Sequence, residues 1–317
     1  MRYKNPVFAE YFADPYVWRV GKEYFAVGTG KEEAGGVDET AGWVFPLLHS
    51  RDLLNWERVG EALERPDPAL GNTYWAPEVA VQNGFHWMYY SIGFSDKDHQ
   101  IRAAIATEPM GPYRDAAANP LVAPSDLPFA IDPHPFRDDD GAWYLFYARD
   151  FLDSDGGVRA GTALMVDRLK TMDKVAGKPR VVLRARNDWQ RFMSQRPMYG
   201  GIYDWHTLEG PCVVKHEGRY YCFYSGGRWE TDTYGVDYAV ADHVLGPYCD
   251  AGNEAGPRVL KTVPGKVLGP GHNSIVTGPD GEDYLAYHAW DAAMTGRRLC
   301  IDRLEWTPDG PRSKVTF

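Results

Sequence analysis

The chain has 317 residues, of which 44% are hydrophobic and 25% charged, a composition typical of globular proteins that excludes a disordered or fibrous one. Its 34 basic and 44 acidic side chains give a formal charge of −10, with no sign of the clustered basic surface that nucleic acids require. An acidic surface also repels anionic membranes and polyanions. We therefore expect a neutral small molecule or polymer as the ligand, and neither a nucleic acid nor a membrane as a partner.

The sequence begins without the apolar stretch of a signal peptide, and no run approaches the roughly 18 apolar residues of a membrane-spanning helix. As written, it predicts a cytoplasmic protein; a secreted or periplasmic one would need a leader that has been removed. The four cysteines form no C-x-x-C pair, which favours buried thiols over a zinc site or a redox dithiol.

One pattern recurs five times along the chain: a glycine, two residues, an aromatic residue and then alternating apolar residues. The copies begin, in chain order, at Gly21, Gly84, Gly141, Gly218 and Gly281. Three of these glycines follow Asn83, Asp140 and Asp280. Asn-Gly and Asp-Gly are strong hairpin signals. Each copy therefore predicts a hairpin turn that leads into a strand.

The repeat length predicts the fold. The glycines lie 63, 57, 77 and 63 residues apart, which is enough for four short strands and their loops, the size of a propeller blade. A second pattern, at 106–116, returns at 241–251, an offset of 135 residues that is close to two blades. We predict an all-β, five-bladed β-propeller that forms a single domain over residues 1–317, with both ends of the chain paired within one blade.

Four carboxylates and a histidine lie just upstream of the repeated glycines, where the inner strand of each blade must run. They are Asp14, Glu78, Asp132, Glu209 and His272. Taken singly, most of these residues also suit turns or strand edges. Their shared position predicts that they meet at one end of the central channel, where a cluster of like charges is costly unless it performs chemistry or holds a cation. Glu78 fits the register least well and is expected to be structural.

The segments around these residues resemble glycoside hydrolase family 43, five-bladed propeller enzymes that act on pentose-containing polysaccharides. The similar segments are Asn5-Pro6, Ala13-Asp14-Pro15, residues 50–56, Trp75-Ala76-Pro77-Glu78, Ile131-Asp132-Pro133, residues 141–147, Leu208-Glu209-Gly210-Pro211, Gly271-His272-Asn273-Ser274 and Tyr287-His288. They extend over essentially the whole chain in order. The resemblance implies one catalytic domain.

The resemblance implies a role for each of three acids. Asp14 corresponds to the general base that activates water, and Glu209 to the general acid that protonates the leaving oxygen. Asp132 corresponds to the residue that orients Glu209 and raises its pKa. The family inverts the anomeric carbon, which requires two carboxyl groups held far enough apart to admit a water molecule.

The resemblance also implies a histidine near the channel centre, often beside a calcium or sodium ion, at His272. We expect such an ion to be held largely through water and not to be required for the chemistry. A sugar-binding arginine corresponds to Arg298, with the adjacent Arg297 as the alternative.

Aromatic residues beside the predicted acids either stack on a sugar or pack inside the blades. These residues are Trp18, Trp75, Phe129 and Trp205. Trp290 and Trp306 are expected in the core.

The first-ranked function is an exo-acting glycosidase that releases terminal α-L-arabinofuranose from plant cell-wall arabinan or arabinoxylan oligosaccharides. A β-xylosidase acting on xylo-oligosaccharides is the close alternative, because both activities share the three acids. A carbohydrate-binding propeller without catalysis would have no use for two separated axial carboxylates. A fructan-active propeller would need an Asn-Asp-Pro-Asn start that this sequence lacks.

Overall fold

A computed structural model describes residues 3–31, 42–123 and 126–315. Within these ranges the chain forms 21 strands and three short 3₁₀ helices, and no α-helix. None of the described helices has the length and apolar character that crossing a membrane requires. The protein is therefore all-β, as the turn-rich, aromatic-rich sequence predicts.

The strands form four hydrogen-bonded sheets, and the nine-stranded one consists of two antiparallel groups joined by a short parallel pairing. We call the resulting five groups blades I to V. Blade I contains β1 (Ala13–Val20), β2 (Glu23–Thr29), β3 (Trp43–Ser50) and β4 (Glu57–Glu64). Blade II contains β5 (Thr73–Gln82), β6 (Phe85–Phe94), β7 (Lys97–Ala106) and β8 (Arg114–Asp115). Blade III contains β9 (Ala130–Arg137), β10 (Trp143–Phe151) and β11 (Gly161–Thr171), with β12 (Lys174–Val175) and β13 (Arg180–Leu183) along β11.

Blade IV contains β14 (Arg191–Met198), β15 (Gly201–His216), β16 (Arg219–Gly226) and β17 (Gly235–Ala241). Blade V contains β18 (Leu268–Thr277), β19 (Asp283–Trp290), β20 (Arg297–Thr307) and β21 (Gly310–Lys314). The three 3₁₀ helices are Pro68–Leu70, Asp155–Gly157 and Asp188–Gln190. Strand β14 pairs with β15 as an additional hairpin in front of blade IV.

The innermost strands close a ring. Strands β1, β5, β9, β15 and β18 each contact the next, and β18 returns to contact β1. Apolar side chains of neighbouring blades pack together between the sheets, as in the cluster that joins blades I and II. This arrangement is a five-bladed β-propeller, and the fold prediction is confirmed.

Segments from both ends of the described chain complete the outer side of blade V. The backbone N–H groups of Val7 and Phe12 donate to the carbonyls of Leu299 and Arg297, each at 2.9 Å. Strand β21 pairs with the other half of β20, from residue 303 to 307. Residues 7–12 and β21 thus share one partner strand, and the ring is closed by hydrogen bonds along β20.

Each repeated glycine lies in the hairpin between the inner strand of its blade and the strand that follows it. All five have a left-handed backbone, with φ between 63° and 83°. Glycine adopts this conformation without steric cost, which explains why the same residue recurs at each turn.

Candidate active site

Each inner strand carries a β-bulge at the same level of the ring. The bulges coincide with residues of left-handed backbone at Asp14, Ala76, Asp132, Gly210 and His272, with φ between 48° and 57°. A bulge bends a strand and redirects its side chains, and such sites are common beside active sites. The bulges therefore redirect side chains at equivalent positions of the five inner strands.

The side chains at three of these bulges meet at one cavity on the channel axis. The cavity has a volume of about 780 Å³, and Asp14, Asp132, Glu209 and His272 all line it. Glu209 comes from the position just before its bulge, because Gly210 takes the left-handed conformation there. A Cβ atom at Gly210 would also lie 3.1 Å from the His272 ring, so both this close approach of two blades and the positive φ favour glycine.

Glu78 lies two residues beyond its bulge and outside the described lining of the cavity. Its carboxylate is 2.7 Å from Nδ1 of His134, and both side chains are buried. His134 Nε2 accepts the N–H of Val213, so the proton on Nδ1 faces Glu78. Glu78 is thus part of a buried pair in the layer below the cavity, consistent with the structural role expected for it.

Asp14 lies in a positively charged environment. Its carboxylate is 3.1 Å from the guanidinium of Arg297, and its backbone N–H donates to Nδ1 of His288 at 3.1 Å. Burial would raise the pKa of Asp14, but Arg297, followed by His272 and His288, holds the pKa well below its usual range. Asp14 is therefore an ionised carboxylate across the ordinary pH range.

Glu209 is in the opposite situation. Burial raises the pKa of Glu209 to about 7, although the Tyr234 hydroxyl, which donates to its carboxylate at 2.7 Å, favours the charged form. The negative charge of Asp14 raises this pKa further. Glu209 can therefore hold a proton near neutral pH.

Asp132 is hydrogen-bonded to the residue that follows the general-acid candidate, Glu209. Its carboxylate accepts the N–H of Gly210 at 2.9 Å, and its own N–H donates to Ser91 Oγ at 3.0 Å. Burial, the charge of Glu209 and the charge of Asp14 raise the pKa of Asp132 well above its usual range. Asp132 and Glu209 thus form a pair of neighbouring acids that retains a proton at neutral pH.

The ring order separates the two kinds of carboxyl group. Blade V lies between blade I, which carries Asp14, and blade IV, which carries Glu209. Asp132 lies on blade III, directly beside blade IV. The ionised carboxylate and the acid pair therefore lie on blades that are not neighbours in the ring.

Two of the four predicted aromatic residues, Trp75 and Phe129, line the cavity. The Trp75 ring stacks on His99 with centroids 3.8 Å apart and an interplanar angle of 18°. His99 is fully buried and also contacts Phe129 edge-on, so one imidazole supports both rings from behind. These two residues form an aromatic wall against which a sugar face can lie.

The structure places Trp18 and Trp205 outside the described lining of the cavity. Trp18 is farther along β1 than Asp14 and packs against Phe25 in the core of blade I. Trp205 is 1% exposed, because the hairpin of β14 and β15 covers it with Tyr199 and Tyr203. Both positions correct the expectation that these rings face a ligand.

Of the two adjacent arginines, Arg297, the alternative, lines the cavity, and Arg298 does not. Successive side chains of a strand point to opposite faces, so only one of the two can point to the axis. Arg298 instead donates to Asp291 at 2.9 Å. Arg297 contacts Tyr11 and Asp14, and its guanidinium lies 4.4 Å from the ring centroid of Trp229.

Two further tryptophans line the cavity, and sequence reasoning missed both. Trp229 was not singled out, and Trp290 was expected in the core. Their rings are nearly parallel, at an angle of 8° with centroids 6.2 Å apart, and Trp290 Nε1 donates to the Trp229 carbonyl. The sequence did offer one signal for Trp290. It lies two residues after His288 on β19, so the two side chains point to the same face of the strand.

The residues around His272 do not form a direct metal site. Across the described ranges, no three His, Cys, Asp or Glu side chains are grouped as ligands, whereas calcium takes about six to eight oxygen ligands. The carboxylate beside His272, that of Asp14 at 3.5 Å, is already paired with Arg297. A cation at this point would face a guanidinium, so the expected calcium or sodium ion does not fit these side chains as ligands.

We accordingly expect chelation to leave the protein unaffected. After treatment with EDTA and removal of the chelator, kcat/KM and the melting temperature should equal those of the untreated protein, because Arg297 already supplies the positive charge beside Asp14. Loss of activity that added calcium restores would contradict this expectation.

Comparison with known proteins gives a consistent result. The family model "Glycosyl hydrolases family 43" matches residues 3–311. A β-D-galactofuranosidase of Aspergillus niger is 28% identical over 96% of this chain and 83% of its own length. An extracellular endo-α-(1→5)-L-arabinanase of Bacillus subtilis is 28% identical over 95% of this chain and 87% of its own. An extracellular exo-α-(1→5)-L-arabinofuranosidase of Cellvibrio japonicus is 26% identical over 94% and 84%.

A solved structure shows the same similarity in three dimensions. The crystal structure of a thermostable family-43 glycoside hydrolase superimposes with a TM-score of 0.82 at 29% sequence identity. The match covers 99% of this chain and 96% of that one.

Proposed function

The chain belongs to family 43 of the glycosyl hydrolases, and from this premise we propose that it is an inverting, exo-acting hydrolase that releases terminal α-L-arabinofuranose from arabinan or arabinoxylan oligosaccharides. As a member of this family the protein is a glycosidase with a carbohydrate substrate. The stereochemical course, the exo mode and the identity of the sugar are the proposed part.

One observation carries the proposal, namely the contrast between the two carboxyl groups of the cavity. Arg297 keeps the pKa of Asp14 well below its usual range, whereas burial raises the pKa of Glu209 to about 7. Two carboxyl groups whose environments push their pKa values apart supply one base and one acid at the same pH. This is the requirement for hydrolysis of a glycosidic bond.

The proposed mechanism is a single displacement. Asp14 accepts a proton from a water molecule as the oxygen of that water attacks the anomeric carbon from the blade I side. Glu209 gives its proton to the glycosidic oxygen as the bond to the leaving group breaks. Asp132 positions Glu209 through the bond that it accepts from Gly210 N–H. Trp75 and Phe129 offer an apolar wall for the sugar ring, and Arg297 keeps Asp14 ionised and oriented.

The choice of sugar rests on the relatives. Those of Aspergillus niger, Bacillus subtilis and Cellvibrio japonicus, matched over more than four-fifths of their length, are named for galactofuranoside or arabinan linkages, all of them furanosidic. The xylan 1,3-β-xylosidase of a Vibrio species is 25% identical and matched over 50% of its length, and a xylosidase/arabinosidase of Bacteroides ovatus is also 25% identical but matched over 95% of its length. This comparison supports a furanosidase over the alternative β-xylosidase.

The proposal is tested with matched aryl glycosides. The aryl α-L-arabinofuranoside should be hydrolysed with a higher kcat/KM than the aryl β-D-xyloside, and proton NMR of the first product should show the inverted anomer. A preference for the xyloside would overturn the sugar assignment. First appearance of the retained anomer would overturn the single displacement and the roles of Asp14 and Glu209 with it.

The acid pair sets the expected pH dependence. The kcat/KM of the wild-type protein should fall as pH rises through about 7, where Glu209 loses its proton. It should persist into acid solution, because the pKa of Asp14 is held low. The variant Asp132→Asn should move the alkaline limb of the kcat/KM profile to lower pH. In the wild-type pair the second carboxylate opposes loss of the last shared proton, and in the variant this repulsion is absent.

The matched control for this variant is Asp138→Asn. Asp138 follows β9 directly but bonds to Tyr220, outside the described cavity lining. The alkaline limb of the kcat/KM profile of Asp138→Asn should coincide with that of the wild-type protein. If the alkaline limb of the Asp132→Asn profile stays at the wild-type pH, Asp132 does not raise the pKa of Glu209, and its role is limited to positioning that side chain.

A further inference from the structure

A fourth buried acid lines the cavity, apart from the three that the mechanism uses. Asp150, near the end of β10, is 1% exposed and lies in the cavity wall. Thr162 donates to its Oδ1 at 2.8 Å, and the Tyr199 hydroxyl donates to its Oδ2 at 2.7 Å. Each carboxylate oxygen has two lone pairs, so both oxygens retain the capacity to accept another hydroxyl.

The strand register connects Asp150 with Glu209. Asp150 is paired with Thr162 across β10 and β11, and Thr162 is paired with Thr207 across β11 and β15. Thr207 precedes Glu209 by two residues and points to the same face of β15. All four residues line the cavity. Asp150, Thr162 and Thr207 therefore form a polar row that runs from blade III to the acid on blade IV.

This row lies on the leaving-group side of the reaction. In an inverting hydrolysis the acid protonates the oxygen of the departing group, and the base activates water on the opposite face of the sugar. Glu209 is the acid and Asp14, on blade I, is the base in the proposed function. A polar row that ends at Glu209 consequently faces the departing group and not the attacking water.

A second cavity continues in the same direction. It has a volume of about 590 Å³, within the range of roughly 300–1,000 Å³ of ligand pockets. It shares Asp96, Pro197 and Met198 with the first cavity, and Tyr199 is part of its wall. Tyr199 therefore contributes to the second cavity while its hydroxyl holds the carboxylate of Asp150 in the first.

We propose that Asp150 binds a hydroxyl of the sugar unit next to the scissile bond on the leaving-group side, and that the following units of the same saccharide occupy the second cavity. The inference rests on the proposed function, because that function defines which side the leaving group takes. The ligand is a neutral oligosaccharide that departs as the product, and Asp150 is a specificity residue for it. A charged hydrogen bond to a hydroxyl suits such recognition because it is lost with a leaving group that has no hydroxyl.

The test compares two substrates with the same terminal pentose. One is an oligosaccharide of three to five units, and the other is the aryl glycoside, whose leaving group has no sugar hydroxyl. Asp150→Asn should lower kcat/KM for the oligosaccharide by about 10- to 100-fold, the range for a hydrogen bond to a charged group, and leave kcat/KM for the aryl glycoside within about twofold. Tyr199→Phe should give a smaller loss of the same kind, because it loosens Asp150 without removing its charge.

The chain provides matched controls. Tyr220 donates to Asp138 at 2.7 Å, the same kind of bond as that between Tyr199 and Asp150, outside the described cavity wall. Asp138→Asn and Tyr220→Phe should keep the wild-type ratio of the two substrates. Equal losses on both substrates in Asp150→Asn and Tyr199→Phe, or no loss on either, would overturn the inference.

The pentose of the test pair is whichever one the wild-type protein hydrolyses, so a wrong sugar assignment does not obscure the result. A wild-type protein that hydrolyses neither pentoside overturns the proposed function. That outcome is distinct from wild-type activity with no substrate-dependent effect of Asp150, which overturns the inference alone.

Discussion

Replacement of Glu209 by glutamine is expected to lower kcat on arabino-oligosaccharides by about 10²- to 10⁴-fold, the usual contribution of a positioned general acid. The amide cannot give a proton to the glycosidic oxygen, and a sugar is a poor leaving group without one. An aryl arabinofuranoside with an acidic phenol needs little protonation, so its kcat should fall far less. Steady-state rates on both substrates give the ratio that checks this expectation.

A second glutamate of the channel serves as the control. Glu78 is buried to the same degree as Asp132, but it pairs with His134 in the layer below. Glu78→Gln should therefore keep the wild-type ratio of oligosaccharide to aryl rates, whatever it does to stability. A Glu209→Gln variant that loses both activities equally would show that Glu209 is not the proton donor.

Asp14→Asn is expected to lower kcat by a similar factor of about 10² to 10⁴, but on both substrates alike. As the proposed base, Asp14 acts on the attacking water, so its contribution should not depend on how good the leaving group is. The two variants together therefore separate the roles, one sensitive to the leaving group and one not. Loss of activity confined to the oligosaccharide in Asp14→Asn would contradict the assignment of the base.

The same variant should also be less stable at neutral pH. Arg297 depresses the pKa of Asp14, so the ionised carboxylate stabilises the folded state above the unfolded pKa near 4, and this stability is lost as pH falls through the folded value. Asparagine removes the charge and leaves a buried guanidinium without its counterion, at a cost on the order of 3 kcal/mol. Urea unfolding at pH 7 and at pH 3 should show a difference between wild type and variant that shrinks in acid.

The blade count and the gathering of the acids followed from local signals in the sequence. A glycine in a hairpin turn has a conformational reason to recur, so its spacing reports the length of a blade. The acids were placed by counting back from those glycines, which gave offsets of 7 residues for Asp14 and 9 for Glu209. The structure aligns the strands by their bulges instead, and Glu209 lies one residue before its bulge.

The walls of the cavity were harder to derive, because they depend on contacts between blades. Trp205 lies on the same strand as Glu209, yet Tyr199 and Tyr203 of the β14–β15 hairpin cover its ring. Trp290 and Trp229 come from different blades and meet only after the ring has closed. Asp150 has no neighbouring signal in its sequence, since its partners Thr162 and Tyr199 are on other strands or turns. Tertiary packing, and not local pattern, decides these positions.

The ring closes through hydrogen bonds along β20, and Asp14, the proposed base, lies beside this closure. Residues 7–12 bind β20 by backbone hydrogen bonds and lead directly into β1, which carries Asp14, while its partner Arg297 begins β20. Local opening of the hydrogen bonds between residues 7–12 and β20 would separate Asp14 from Arg297 while the other blades remain folded, because local openings need less free energy than global unfolding. Heat should therefore switch off catalysis before the β-sheet signal changes, and brief heating followed by cooling should restore it.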